Sequence, residues 1–100
     1  QIEGGIAQGL GLALLEELVL NNGTIANANF TDYLLPTAMD TPPIKIASLI
    51  EQPEPGAPFG AKGIGEPPVI SSTPAIISAI RNATGKKLNR VPIKPEDIVF

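Results

Sequence analysis

Apolar residues recur at Ile2, Ile6, Leu10, Ala13 and Leu14, the three-and-four spacing of an amphipathic helix, and predict a helix over 2–20. Asn21-Asn22-Gly23 reads as its C-terminal stop. The glycines in this helix are unusual. Gly4, Gly5, Gly9 and Gly11 all fall inside it, and each costs about 0.8–1 kcal/mol relative to alanine. At about 100° per residue, Gln1, Gly4, Gln8 and Gly11 share one strip, turned away from Ile2, Ile6 and Ala13. Bare except for two amides, that strip suits close packing against another backbone or the approach of a polar ligand.

Downstream the pattern shortens. Residues 24–30 alternate weakly and read as a strand, and 33–43 form a proline-punctuated connector. Residues 44–51 are the best strand candidate, with Ile44, Ile46, Ser48 and Ile50 set against Lys45, Ala47 and Leu49. The stretch 52–59 is a loop rich in proline. Thr73-Pro74 then reads as an N-cap followed by proline at the first helical position, and Ile76, Ile77, Ile80 and Ala83 supply the apolar face. A start near Pro68, with Pro74 kinking the helix, is the alternative. Thr84-Gly85 closes it, and an extended tail leads to a short turn at Lys94-Pro95-Glu96-Asp97. The expected class is α+β: two main helices, two or three strands and long Pro/Gly-rich loops.

Composition changes the picture in two ways. Apolar residues make up 43% of the chain but aromatics only 4%, so Ile, Leu and Ala must fill any interior. Eleven prolines and ten glycines in 100 residues leave little regular structure to offset chain entropy. Residues 1–100 therefore read as one fragment of a larger domain. Without Cys or His, the chain lacks thiolate ligands, disulfides and the commonest acid–base side chain. A net charge of −3 and a pI near 4.7 argue against nucleic acid or anionic membrane as partners. No apolar run approaches bilayer-spanning length. No targeting signal is visible either, so a cytoplasmic location is the default expectation.

The stretch richest in chemical signal is Gly60-Ala61-Lys62-Gly63-Ile64-Gly65-Glu66-Pro67-Pro68. Glycine admits close approach and positive φ, whereas a Pro-Pro pair stiffens the chain and disfavours helical backbone at Glu66. A flexible run ending in a stiff one holds one carboxylate at the mouth of a loop, as a positioned general base requires. A phosphate-binding loop would need Gly-Lys-Ser/Thr opening a helix, and here no hydroxyl follows Lys62. The glycine spacing also differs from the Gly-x-Gly-x-x-Gly of dinucleotide sites. Both nucleotide readings fail on spacing.

The same nine residues resemble the catalytic-glutamate loop of the xanthine oxidase family of molybdenum hydroxylases. Gln1-Ile2-Glu3-Gly4-Gly5-Ile6-Ala7-Gln8-Gly9-Leu10-Gly11 is similar to the family's helix that contacts molybdopterin. Asp32-Tyr33 with Pro36-Thr37 resembles its connector, and 75–85 its last long helix. The likeness covers roughly residues 1–85, with the glutamate loop as its most specific part.

That resemblance implies a segment from the C-terminal part of the molybdopterin-binding subunit. It implies that Glu66 is the general base, and that Gln1, with Gly4 and Gly5 beside it, contacts the molybdenum–molybdopterin cofactor. The intact enzyme would oxidise a purine, another N-heterocycle or an aldehyde, with water as the oxygen source. Iron–sulfur clusters and FAD would sit on other domains or subunits, in an oligomer. No metal ligand is expected from this chain, and alone it would be inactive. The rival expectation is a non-catalytic α+β assembly module that keeps the family loop.

Overall fold

The computed structural model describes residues 1–99. Its frame is a pair of helices, α1 (Ile2–Leu14) and α2 (Glu66–Thr84). They run parallel, with their N-termini at the same end. The register shows this: Gly5 faces Pro68, and one turn later Gly9 faces Ser72. A Cβ on Gly5 would stand 2.7 Å from Pro68 Cβ, and one on Gly9 would run into Ser72 Oγ. The glycines of α1 thus divide between two faces. Gly5 and Gly9 are buried and let α2 approach, whereas Gly4 has nothing within 4 Å of where its Cβ would be. Thr73 Oγ1 ties the pair by donating to the Gly9 carbonyl at 3.0 Å.

α1 ends at Leu14, well short of residue 20. The Gly11 carbonyl accepts from both Leu15 and Glu16 N–H at 2.8 Å, which closes the helix. Glu16 then turns its carboxylate to the Tyr33 hydroxyl at 2.8 Å. The Asn-Gly pair is therefore not a helix stop. Asn22 (φ 49°) and Gly23 (φ 82°) are both left-handed and form the two-residue turn of a hairpin, β1 (Leu20–Asn21) with β2 (Thr24–Ile25). The strands are antiparallel, with Leu20 opposite Ile25 and Asn21 opposite Thr24. Buried Asn27 braces the hairpin, donating to the Glu17 carbonyl at 2.7 Å and accepting from Val19 N–H at 2.9 Å.

Two strand expectations are corrected. The strand over 24–30 is only Thr24–Ile25, because Asn29 Oδ1 bends the chain by accepting from Thr31 and Asp32 N–H at 3.0 Å. Residues 44–51 are not in a ladder, since within the described residues no strand lies alongside to pair with them. Alternation marks a face to bury, but a strand also needs a neighbour.

α2 begins at Glu66 rather than at Thr73, and Pro74 lies inside it. Pro67 and Pro68 occupy its second and third positions, where backbone N–H groups have no intrahelical acceptor to lose. Glu66 is accordingly the first residue of a helix and not part of an extended loop. Gly85 (φ 68°) terminates α2, as expected, with its N–H on the Arg81 carbonyl at 2.8 Å.

The tail folds back across the end of α1. Ile93 N–H donates to the Ala13 carbonyl at 2.8 Å, and Lys94 pairs with Glu17 at 2.7 Å. Ala13, Leu88 and Ile93 form the small buried core. In α3 (Pro95–Val99), Asp97 accepts from Lys94 N–H at 2.9 Å and pairs with Arg90 at 2.7 Å. The Lys94 N–H, then Arg90, hold the Asp97 carboxyl below its ordinary value of 3.8. A lowered value means that this anchor is fully present above 3.8 and is lost as pH falls through the folded-state value. Hydrogen exchange over 94–99, corrected for its intrinsic pH dependence, is expected to rise as pH falls below 3.8. Asp97→Asn should reproduce the loosening at neutral pH.

Much apolar surface stays uncovered. Phe30, Phe59, Met39 and Ile50 are more than four-fifths exposed: 102%, 107%, 94% and 87%. The radius of gyration, 16.7 Å, exceeds the roughly 13 Å of a compact domain of this length. The observed α+β fold is a piece of a larger body.

Candidate functional site

The two parallel helices bring Gln1 and Glu66 to the same end of the frame. With Gln8, Gly65, Val69 and Ile70 they line an open cavity of about 550 Å³. Each residue is there for a local reason. Gln1 is the N-cap of α1 and makes no side-chain capping bond, so its amide is left to the cavity. Gly65 (φ −66°) has ordinary right-handed backbone, so handedness does not require a glycine. Nor does close approach: a Cβ there would stand 3.5 Å from Gln1 Nε2, an ordinary van der Waals contact. Glu66 follows as the first residue of α2, and Val69 and Ile70, three and four positions on, share its face.

The electrostatics follow from the parallel arrangement. Both macrodipoles present their positive ends here, each worth about half an elementary charge. On α1 the N–H groups of Ile2, Glu3 and Gly4 have no intrahelical acceptor, the first bond being Gly5 N–H to the Gln1 carbonyl at 3.0 Å. On α2 the two prolines remove donors, leaving Glu66 N–H. The side chains of Gln1, Gln8 and Glu66 make no hydrogen bond or ion pair among the described residues. Three polar side chains that face one cavity without bonding to one another form a lining suited to a ligand with a polar edge.

Gly4 lies on the exposed side of α1 with space before it, so backbone can be approached there. Gly5 points at Pro68 and serves helix packing. Lys62 is elsewhere, lining a separate hollow with Glu51, Gln52 and Phe59. Three other carboxylates have structural partners. Glu16 accepts from Tyr33, Glu17 pairs with Lys94, and Asp32 accepts from Asn29 Nδ2 at 2.9 Å. The Glu16 hydrogen bond raises the Tyr33 hydroxyl above its ordinary value, as expected for a phenol held by a carboxylate.

Residues 1–42 match the family model described as a molybdopterin cofactor-binding domain. The xanthine dehydrogenase molybdenum-binding subunit of Escherichia coli O157:H7 is 39% identical over 98 residues, 96% of this chain and 13% of that protein. Aldehyde oxidoreductase of Megalodesulfovibrio gigas is 40% identical over 101 residues, 99% of this chain and 11% of that protein. The crystal structure of quinoline 2-oxidoreductase from Pseudomonas putida 86 superposes with a TM-score of 0.85 at 40% identity, over 97% of this chain and 13% of that one. The chain belongs to the xanthine oxidase and aldehyde oxidoreductase family of molybdenum hydroxylases. It spans about an eighth of the length of these relatives, 11–13%.

Within this molybdenum hydroxylase segment, the sequence had marked Gln1 and Glu66 but not the apolar pair beside them. Val69 and Ile70 become legible once α2 is started at Glu66, because they then fall one turn along its face. Gln8, seven residues from Gln1 on one strip, carried the signal in its spacing alone. No helix is long and apolar enough to cross a membrane among the described residues.

Proposed function

We propose that this chain is the part of a molybdenum hydroxylase that supplies the general base, Glu66, and a cofactor contact through Gln1 and the backbone at Gly4. One observation carries the proposal: Glu66 and Gln1, 65 positions apart in sequence, line one cavity with their polar groups unpaired. The residues present fit a pterin-type group. An amide can donate and accept, free α1 N–H groups accommodate anionic character, and the open space at Gly4 leaves room for close approach. When bound, the molybdenum centre supplies the two-electron oxidation. Glu66 takes the proton from the oxygen nucleophile that attacks an electron-poor carbon, and water replaces the oxygen consumed. Val69 and Ile70 give the cavity beside the carboxylate an apolar lining. A carbon next to nitrogen in a heterocycle, a purine included, or an aldehyde carbon fits such a reaction.

The partners follow from what is exposed. The remainder of the molybdopterin subunit covers Phe30, Phe59, Met39 and Ile50 and supplies a neighbour for 44–51. Iron–sulfur and flavin domains or subunits, for which this chain has no cysteine, carry the electrons away.

The test uses the intact protein, made in a host that synthesises the cofactor. Molybdenum content and heterocycle- or aldehyde-dependent dye reduction are measured together, and absence of both would sink the proposal. Gly4→Val is the sharper probe. Nothing in this chain meets a side chain at Gly4, so helicity and melting temperature should hold while molybdenum content falls several-fold. Unchanged metal content would remove Gly4 from the cofactor face.

A further inference from the structure

Gln8 lines the cavity that holds Glu66, yet neither side chain bonds to any other residue among those described. It lies two turns beyond Gln1 on α1, about 10.5 Å along the axis. Helical side chains lean toward the N-terminus, so the Gln8 side chain is directed toward the N-terminal end of α1 rather than out from its own turn. Gly4, in that direction, has nothing within 4 Å of where its Cβ would be. Because α2 runs parallel to α1, Glu66 lies on the N-terminal side of Gln8, the side toward which the carboxamide leans. Glu66 is the only ionisable side chain among the lining residues Gln1, Gln8, Gly65, Glu66, Val69 and Ile70. Gln1 is the other amide there, its nitrogen 3.5 Å from where a Cβ on Gly65 would stand.

We propose that Gln8 is a positioning residue for Glu66, its carboxamide N–H groups donating toward the carboxylate across the cavity and fixing the orientation in which that carboxylate receives a proton. The proposal rests on Glu66 being the base. An ionised carboxylate only accepts hydrogen bonds, and an amide is a donor that adds no charge. Such bonds tighten when a ligand closes an open site and displaces water. The neighbouring Val69 and Ile70 offer no competing polar group.

The experiment compares Gln8→Met and Gln8→Glu in the intact enzyme, reading molybdenum content and the pH profile of kcat/KM. Metal content should stay at the wild-type level in both. Gln8→Met should lower kcat about tenfold, the scale of one hydrogen bond to a charged group. The acid limb of the profile should move to higher pH in the order wild type, Gln8→Met, Gln8→Glu. Loss of a donor and then gain of a like charge each disfavour the ionised base, which gives that order. A residue that merely packs would not produce this order. Unmoved profiles in both variants, or a loss confined to metal content, overturn the assignment while leaving Glu66 as the base. Retention of turnover by Glu66→Gln overturns both.

Discussion

Glu66→Gln in the intact enzyme is expected to lower turnover by about 10²–10⁴-fold, the usual worth of a positioned acid–base group, while molybdenum content stays unchanged. The substitution is nearly isosteric and keeps a carbonyl oxygen where the carboxylate was, but an amide cannot take up the proton. Structure gives little reason for a folding defect. The Glu66 side chain makes no hydrogen bond or ion pair among the described residues, and it occupies the first position of α2 without capping it. Glutamine is as good a helix former as glutamate, so the N-terminal turn should persist. Loss of activity with metal retained would therefore report chemistry rather than stability. Glu66→Asp should fall between the two, because it keeps the acid but withdraws it by one methylene from the cavity. Wild-type turnover in Glu66→Gln would end the assignment.

The parts of this site that were legible in sequence are those set by local chemistry. Gly65-Glu66-Pro67-Pro68 singled out one carboxylate, and Gln1, Gly4, Gln8 and Gly11 marked a helix strip bare except for two amides. The sequence misled at Glu66 itself. Proline disfavours helical backbone in the residue before it, and that local rule placed Glu66 in an extended loop. Contact between α1 and α2 overrides it, because Pro68 is buried against Gly5 and the first turn of a helix tolerates prolines. Asn22-Gly23 was ambiguous for the opposite reason. Both residues suit a left-handed backbone, which serves a helix end or a hairpin turn, and only the escape of the chain at Gly11 decides for the hairpin. Residues 44–51 show the remaining limit. Their pattern records a face to be buried, while the ladder that would make them a strand has no partner among the described residues. The handedness of the two-helix frame was beyond local rules. That α1 and α2 run parallel depends on the long connection through 15–65, and it is this that places both N-termini beside one cavity.

Gly5→Ala is expected to damage the enzyme more than its size suggests. The new Cβ would lie 2.7 Å from Pro68 Cβ, 3.2 Å from Pro68 Cγ and 3.3 Å from the Gly65 carbonyl. Carbon atoms in contact prefer about 3.5–4.0 Å, so the first turn of α2 must retreat by about 1 Å. None of the obstructing atoms can rotate away, since they belong to a proline ring and to backbone. Overpacking of this kind costs about 1–3 kcal/mol, against which alanine returns about 1 kcal/mol of helix propensity. The net loss of stability is modest, but the turn that retreats is the one carrying Glu66. A displacement of about 1 Å at a reacting group can cost 10²-fold in rate, so kcat should fall by about that factor with the protein still folded. Gly9→Ala supplies the contrast one turn further along. Its Cβ meets the Ser72 hydroxyl, which can rotate, although Ser72 Cβ at 3.1 Å and the Val69 carbonyl at 3.2 Å remain tight. That variant should lose stability with a smaller change in kcat, because the strain enters α2 beyond the turn that bears the carboxylate. Equal kcat losses from the two substitutions, measured with melting temperature and molybdenum content, would show that the Gly5–Pro68 contact does not set the position of Glu66.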